Sequence, residues 1–248
     1  MAQRVPVWLD CDPGHDDAFA IILLGHDPGA ELLGISTSYG NQTVEKTTLN
    51  ALRVCALAGL SVRVVAGAAK PFLRPGRECP EIHGESGLDG PALPQPTQPA
   101  LDGKAIQVMA EALLQASAAG RQPVLVCTGA LTNAALLLSV YPELMQRIRL
   151  VLMGGALGAG NTGPCAEFNL QLDPEAAAMV FQSGVDLTMI PLEVTHTALA
   201  TPLVLQSIDG LEHSEFRRVI VGASPPKTLP SFWPGSIVSF HTQRMQSE

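Results

Sequence analysis

Apolar runs of strand length alternate along the chain with longer stretches of helical period. VPVWL (5–9) leads to a helix beginning near Asp16, and ELLGIST (31–37) to a helix across 44–58. VRVVA (62–66) opens a loop, KAIQVMAEALLQA (104–116) has amphipathic spacing, and PVLVC (123–127) runs into helical NAALLLSV. RLVLM (149–153) enters a glycine-rich loop, while PEAAAMVFQS (174–183), a helix with proline at its start, precedes DLTMI (186–190). Strands that are apolar throughout and separated by helices belong to a parallel sheet covered on both faces. The pattern predicts an α/β fold, a three-layer domain around a mostly parallel central sheet. No internal repeat interrupts it. The Pro- and Gly-rich segment 67–102 is expected to lack regular elements, and loops of that length are usually functional or disordered. A change of composition near Ser224 divides the chain into an α/β domain, 1–223, and a divergent Pro-rich tail, 224–248.

Composition narrows the partners. A chain of 248 residues, 46% hydrophobic, can bury a sizeable core. A net charge of −8 without a Lys/Arg cluster argues against nucleic acid. The five cysteines form no CxxC pair, which argues against zinc and against a disulfide framework. Free thiols suit a reducing compartment. No run reaches the roughly 18 apolar residues of a membrane span, and the N-terminus reads as a strand. The expectation is a cytoplasmic protein with no membrane partner.

The chemistry gathers at strand ends. DCDPGHDD follows the first strand, SYGNQT the second, TGALTN the fourth and MGGALGAGN the fifth. Ligands of open parallel sheets bind beyond the carboxyl ends of the strands, so chain order alone collects these loops at one rim. Asp10 and Asp12 lie two apart at a strand end and share a face in extended geometry; Asp16 and Asp17 begin the helix. One aspartate capping that helix would be ordinary, but a cap does not explain four. Two carboxylates about 4 Å apart repel by roughly 4 kcal/mol at a surface-like dielectric. A bound cation removes the penalty, as would one protonated carboxyl of a pair. Ligands that are all oxygen point to calcium or magnesium, and spacing leaves that choice open.

With these motifs placed, the chain resembles the inosine–uridine-preferring nucleoside hydrolases. The resemblance continues in order through GNQT (40–43), IHGESGLDGP (82–91), TGALTN (128–133), VLMGGALGAGN (151–161), AEFNLQLDPEAA (166–177) and THTALATP (195–202). It implies a Rossmann-like sheet, one calcium ion and cleavage of the N-glycosidic bond of ribonucleosides, with dimers or tetramers as the family's assemblies. By motif position it implies calcium held by the carboxylates of Asp12 and Asp17 and by the Thr128 carbonyl, with Asp12 also the general base. Asp16, Asn41, Asn161, Glu167 and Asn169 would hold ribose hydroxyls, and His83 would approach the nucleoside from the long loop. Outside the motifs, His83 would read as a solvated histidine and Asn161, beside Gly160, as a turn residue. Cys11 and Met153 read as packing, and His196 as a core histidine.

The resemblance ends near Gly222. Family members carry a later His-Asp-Pro motif whose aspartate completes the calcium shell and whose histidine lies near the released base. Here the histidine beyond Gly222 is His241, followed by Thr242, and neither role transfers to it. The expected fold is therefore the family's with its C-terminal part missing. That departure keeps a rival open: a non-catalytic ribose- or nucleoside-binding remnant, or a chain that pairs with a complete subunit. A magnesium phosphotransferase is a weaker rival, because DxD after a first strand also serves phosphoryl transfer, but no GxxxxGK[ST] loop is present.

Overall fold

The computed structural model describes residues 3–90 and 92–198. Among them, six strands form one sheet: β1 (Val5–Cys11), β2 (Ala30–Thr37), β3 (Val64–Ala66), β4 (Val124–Cys127), β5 (Arg149–Met153) and β6 (Asp186–Ile190). Their order is β3-β2-β1-β4-β5-β6, with every neighbouring pair parallel. Each strand anticipated from an apolar run is present. The long helices α1 (His15–His26), α2 (Val44–Leu57), α4 (Ala105–Ala118), α5 (Thr132–Val140) and α7 (Pro174–Gln182) fall where the periodicity places them. Three short helices were not expected: α3 (Pro80–His83), α6 (Phe168–Leu172) and α8 (Leu192–Thr195). Each spans little more than a turn, too short to show a period.

The alternation of side chains along β1 builds the three layers. Leu9 and Cys11 face α1 and α2 in a cluster with Ile21, Ile35, Ala51, Val54 and Cys55. Trp8 points the other way, joining Leu125, Leu150 and Leu152 of the sheet with Met109, Leu113, Leu137 and Val180 of α4, α5 and α7. Both faces are thus buried, which is why the strands carry no polar alternation. Cys11 is packing, as expected, and its thiol is held far above its usual range by burial and then by the neighbouring aspartates. Trp8 can be wholly buried because its indole N–H donates to Ser36 Oγ at 3.0 Å.

Strand order reverses direction between β1 and β4, so the crevice of this doubly wound sheet opens there. Among the described residues of the segment 67–102, α3 is the only regular element, and the segment is tied down at intervals. Ala68 N donates to Asn133 Oδ1, Phe72 N to Asp173 Oδ2, and Cys79 N to the Asn41 carbonyl. These bonds carry the loop across the sheet rim and bring His83 to it. The anticipated boundary at 223, the Pro-rich tail and His241 lie outside the described residues.

Candidate active site

The four aspartates of the opening motif separate into one and three. Asp10, still inside β1, accepts Ser36 Oγ–H at 2.5 Å and Asn133 Nδ2–H at 2.9 Å. Its backbone carbonyl takes the Thr128 N–H. It joins the ends of β1, β2 and β4 and does not share the mouth with Asp12, contrary to the reading that set the two on one face. Burial raises its carboxyl to about 7 despite those two bonds.

Asp12 lies just past the strand and is 1% exposed. Its Oδ2 accepts the Asn41 N–H at 2.8 Å, while its Oδ1 is buried without a hydrogen-bond partner. The carboxylate sits between two glycine backbones: a Cβ at Gly40 would lie 2.1 Å from Oδ2, and one at Gly129 would lie 2.5 Å from Oδ1. Gly40 also has φ +150°, so glycine is required there twice over. Asp17, in the first turn of α1, accepts Thr128 Oγ–H at 2.5 Å and the Gly14 N–H at 3.2 Å. The Asn41 amide spans the two, with Nδ2 donating to the Asp12 carbonyl at 2.9 Å and to Asp17 Oδ2 at 3.4 Å. Both carboxylates therefore converge on the Thr128–Gly129 segment at the end of β4. Asp16, beside them, has its own buried and unpartnered Oδ1.

Buried polar atoms are almost always paired, so orphaned oxygens on two of three adjacent carboxylates call for a partner of opposite charge. The electrostatics agree. Burial, and then Asp17, push the Asp12 carboxyl well above its normal range. Burial followed by Asp16 lifts Asp17 to about 8, opposed by its bonds from Thr128 and Gly14. Burial also raises Asp16, with local backbone bonds opposing. Side chains alone leave this cluster short of positive charge. Among the described residues no three His, Cys, Asp or Glu side chains form a metal-holding group. Oxygens that could hold a hard cation here are those of the Asp12 and Asp17 carboxylates and the Thr128 carbonyl, which also accepts from Asn169 Nδ2.

The β5 side of the rim closes through α6. Glu167 caps this helix, accepting Asn169 N–H at 3.0 Å and Leu170 N–H at 3.1 Å, and reaches back to Gly155 N–H at 2.9 Å. Burial nevertheless raises its carboxyl. Asn169 Nδ2 donates to the Thr128 carbonyl at 2.9 Å and the Met153 carbonyl at 3.1 Å, so α6 is tied to the ends of β4 and β5. Asn161 Oδ1 accepts the Phe168 N–H at 2.8 Å, a turn-like bond, but its Nδ2 is buried and unpartnered. His83 is buried against Gly14: a Cβ there would lie 2.5 Å from His83 Nδ1 and 2.8 Å from Asn41 Nδ2. His83 is thus no solvated loop residue, and it shares the rim with the carboxylates.

All nine residues singled out from sequence lie along this rim. His196 is corrected: it is exposed at the C-terminal end of α8, not in the core. Sequence reasoning passed over His15, which is buried against His83, although it stands inside the DCDPGHDD motif.

The sequence profile of the inosine-uridine preferring nucleoside hydrolases matches residues 7–242, beyond the point where the ordered motifs stop. A probable ribonucleoside hydrolase of Dictyostelium discoideum is 45% identical over 234 residues, covering 89% of this chain and 69% of the relative. The pyrimidine-specific ribonucleoside hydrolase RihA of Salmonella agona is 50% identical over 199 residues, 79% of this chain and 63% of its own length. The chain thus spans just under two thirds of the Salmonella protein. Among solved structures, the purine-preferring ribonucleoside hydrolase from Gardnerella vaginalis superposes with a TM-score of 0.81 at 32% identity, over 88% of this chain and 70% of that one.

Proposed function

The chain belongs to the inosine-uridine preferring nucleoside hydrolase family, and from that membership we propose that it hydrolyses the N-glycosidic bond of ribonucleosides in a calcium-dependent reaction. Purine nucleosides, pyrimidine nucleosides or both are its substrates, and the products are free base and ribose. One observation carries the reading: the buried, unpartnered Oδ1 of Asp12 at the crevice between β1 and β4. An acceptor with no donor, sealed by the backbones of Gly40 and Gly129, is placed to take a proton.

Asp12 Oδ1 takes the proton of a water as its oxygen bonds to the anomeric carbon. The carbon–nitrogen bond to the base breaks through an oxocarbenium-like state; its electron pair leaves on the base nitrogen, which takes a proton from solvent, and Asp12 afterwards returns its own proton to solvent. Asp16, Asn41, Asn161, Glu167 and Asn169 hold the ribose hydroxyls, which amides and carboxylates suit because a hydroxyl both donates and accepts. The orphaned Asp16 Oδ1 and Asn161 Nδ2 are one acceptor and one donor of that kind. His83 contacts the nucleoside from its loop. Asp12, Asp17 and the Thr128 carbonyl would hold calcium, which when bound offsets their charge and acts as a template for water and diol.

The same reading takes the protein to be cytoplasmic and a homo-oligomer, a dimer or tetramer. Five unpaired cysteines support the compartment, and sizing of the purified chain tests the assembly. Among the described residues no helix is long and apolar enough to cross a membrane. The activity test is release of reducing sugar from inosine and uridine with calcium present. Turnover no greater than that of the Asp12→Asn variant rejects the reading, and ribose binding without turnover would favour a non-catalytic binding protein.

A further inference from the structure

Three polar residues spaced four apart run along the start of α2: Gln42, just ahead of the N-cap Thr43, then Lys46 and Asn50. Residues four apart in a helix share one face, and this face meets the segment that follows His83. Gln42 Nε2 donates to the Gly84 and Glu85 carbonyls, each at 3.2 Å. Lys46 Nζ donates to the Glu85 carbonyl as well, and Asn50 Nδ2 donates to the Ser86 carbonyl at 2.9 Å. Three successive carbonyls are therefore taken by three side chains from one stretch of chain. Surface loops usually leave such groups to water.

The opposite edge of the segment is closed too, because the Asp89 carboxylate accepts the N–H groups of Glu85 and Ser86, both at 3.1 Å. Between the two edges lies Gly87, at φ +80°. A Cβ there would lie 2.9 Å from Gln42 Cγ and 3.2 Å from Asn50 Nδ2, so the close approach needs glycine. Gln42 and Asn50 are 3% and 2% exposed, buried well beyond what a helix surface would give them. Gln42 Oε1 accepts the Thr43 N–H at 3.3 Å, which keeps its amide nitrogen turned to the loop. Asn50 Nδ2 also donates to the Pro13 carbonyl at 3.2 Å, in the turn that follows Asp12. An amide nitrogen has two N–H groups, and here one is spent on each side of the mouth. Asn41, next to Gln42, spans Asp12 and Asp17. The start of α2 thus stands between the aspartates and the loop that carries His83.

We infer that Gln42, Lys46 and Asn50 are positioning residues: they clamp the segment after His83 at a fixed distance from the Asp12 turn and so set where His83 meets the nucleoside. The inference rests on the nucleoside hydrolase reading for its substrate; the clamp itself does not.

Hydrogen exchange of the full chain is the first arm of the test and needs no substrate. The amides of Gly87 and Asp89 bond to the Gly84 and His83 carbonyls and report on the segment. Gln42→Met keeps the Cβ and Cγ that face Gly87 and removes both donors. It should speed exchange of those two amides about tenfold, the scale of one lost hydrogen bond, with β1 and β4 unchanged. Asn50→Leu should act in the same direction. Lys46→Met, at a partly exposed position that spares the core, should do so more weakly, with Lys46→Arg restoring protection. Unchanged exchange in all three, or acceleration spread through β1 and β4, overturns the inference whether or not the protein turns over. Kinetics with inosine are the second arm. Gln42→Met should lower kcat/KM about tenfold, chiefly through KM. In a His83→Ala background the same change should cost less than about twofold, because the two residues then no longer act as a unit. Equal loss in both backgrounds, or loss in kcat alone, would make Gln42 a general prop and refute its action through His83. Absence of turnover on every ribonucleoside by the unmodified chain, with the expected exchange pattern, would reject the proposed function and leave the clamp standing.

Discussion

Asp173 and Asp12 are both buried aspartates next to the crevice, and their surroundings differ in one respect. Asp173 accepts from Thr132 Oγ, Phe72 N and Ala176 N, so both of its oxygens are engaged. Asp12 has one donor on Oδ2 and none on Oδ1. The first carboxylate caps α7 and pins the long loop, a finished structural shell. The second is held as firmly but left open where a ligand could complete it. Burial costs a carboxylate much the same in either place. Under the proposed function, the unmatched oxygen is the one kept for a ligand.

That contrast can be broken most sharply by mutation. Asp12→Asn should lower turnover by roughly 10²–10⁴-fold, the scale of lost general-base catalysis, and should leave the melting temperature equal or higher because a poorly compensated buried charge is gone. Sugar release and thermal denaturation on the same preparation check both halves. Asp173→Ala should do the reverse. Three donors lose their acceptor, at about 1–3 kcal/mol for a buried group left unsatisfied, which in a chain of this size is roughly 2–4 °C per kcal/mol. The activity retained per folded molecule should be far greater than in Asp12→Asn.

A smaller effect comes from pH. Asp10 and Asp17 are raised to about 7 and about 8 in the folded protein, so the native state binds more protons than the unfolded chain above pH ~4. Their contribution is fully present below the unfolded carboxyl range and is lost as pH rises through 7 and 8. His83, lowered to about 3, works oppositely, costing stability as pH falls below the usual histidine range. Chelator-treated protein should therefore melt lower at pH 8.5 than at pH 6.5, a test window of about two units above the histidine range. Calcium should remove most of that difference, since it favours the ionised carboxylates. A melting temperature indifferent to calcium at the higher pH would separate the acidic mouth from any metal.

The strands were legible because burial on both faces of the central ones keeps their middle positions apolar, and the rim was legible because each motif follows a strand. Asp10 was misplaced for a related reason: a two-residue spacing gives a shared face only while the strand continues, and β1 ends at Cys11. The work of Asn41, whose amide spans Asp12 and Asp17, depends on contacts 24 and 29 residues apart and leaves no local trace. His15 was hidden differently, inside a motif whose aspartates drew the attention, with its partners 68 and 74 residues away. His196 read as a core histidine, but it follows the single turn of α8 and is exposed.

Calorimetric titration of calcium into the chelator-stripped full chain tests the central claim most directly. One ion per chain should bind, with binding lost in Asp12→Asn and in Asp17→Asn and retained in Asp10→Asn, whose amide oxygen can still accept from Ser36 and Asn133. Absence of binding in the unmodified chain, or equal binding by Asp12→Asn, would contradict it.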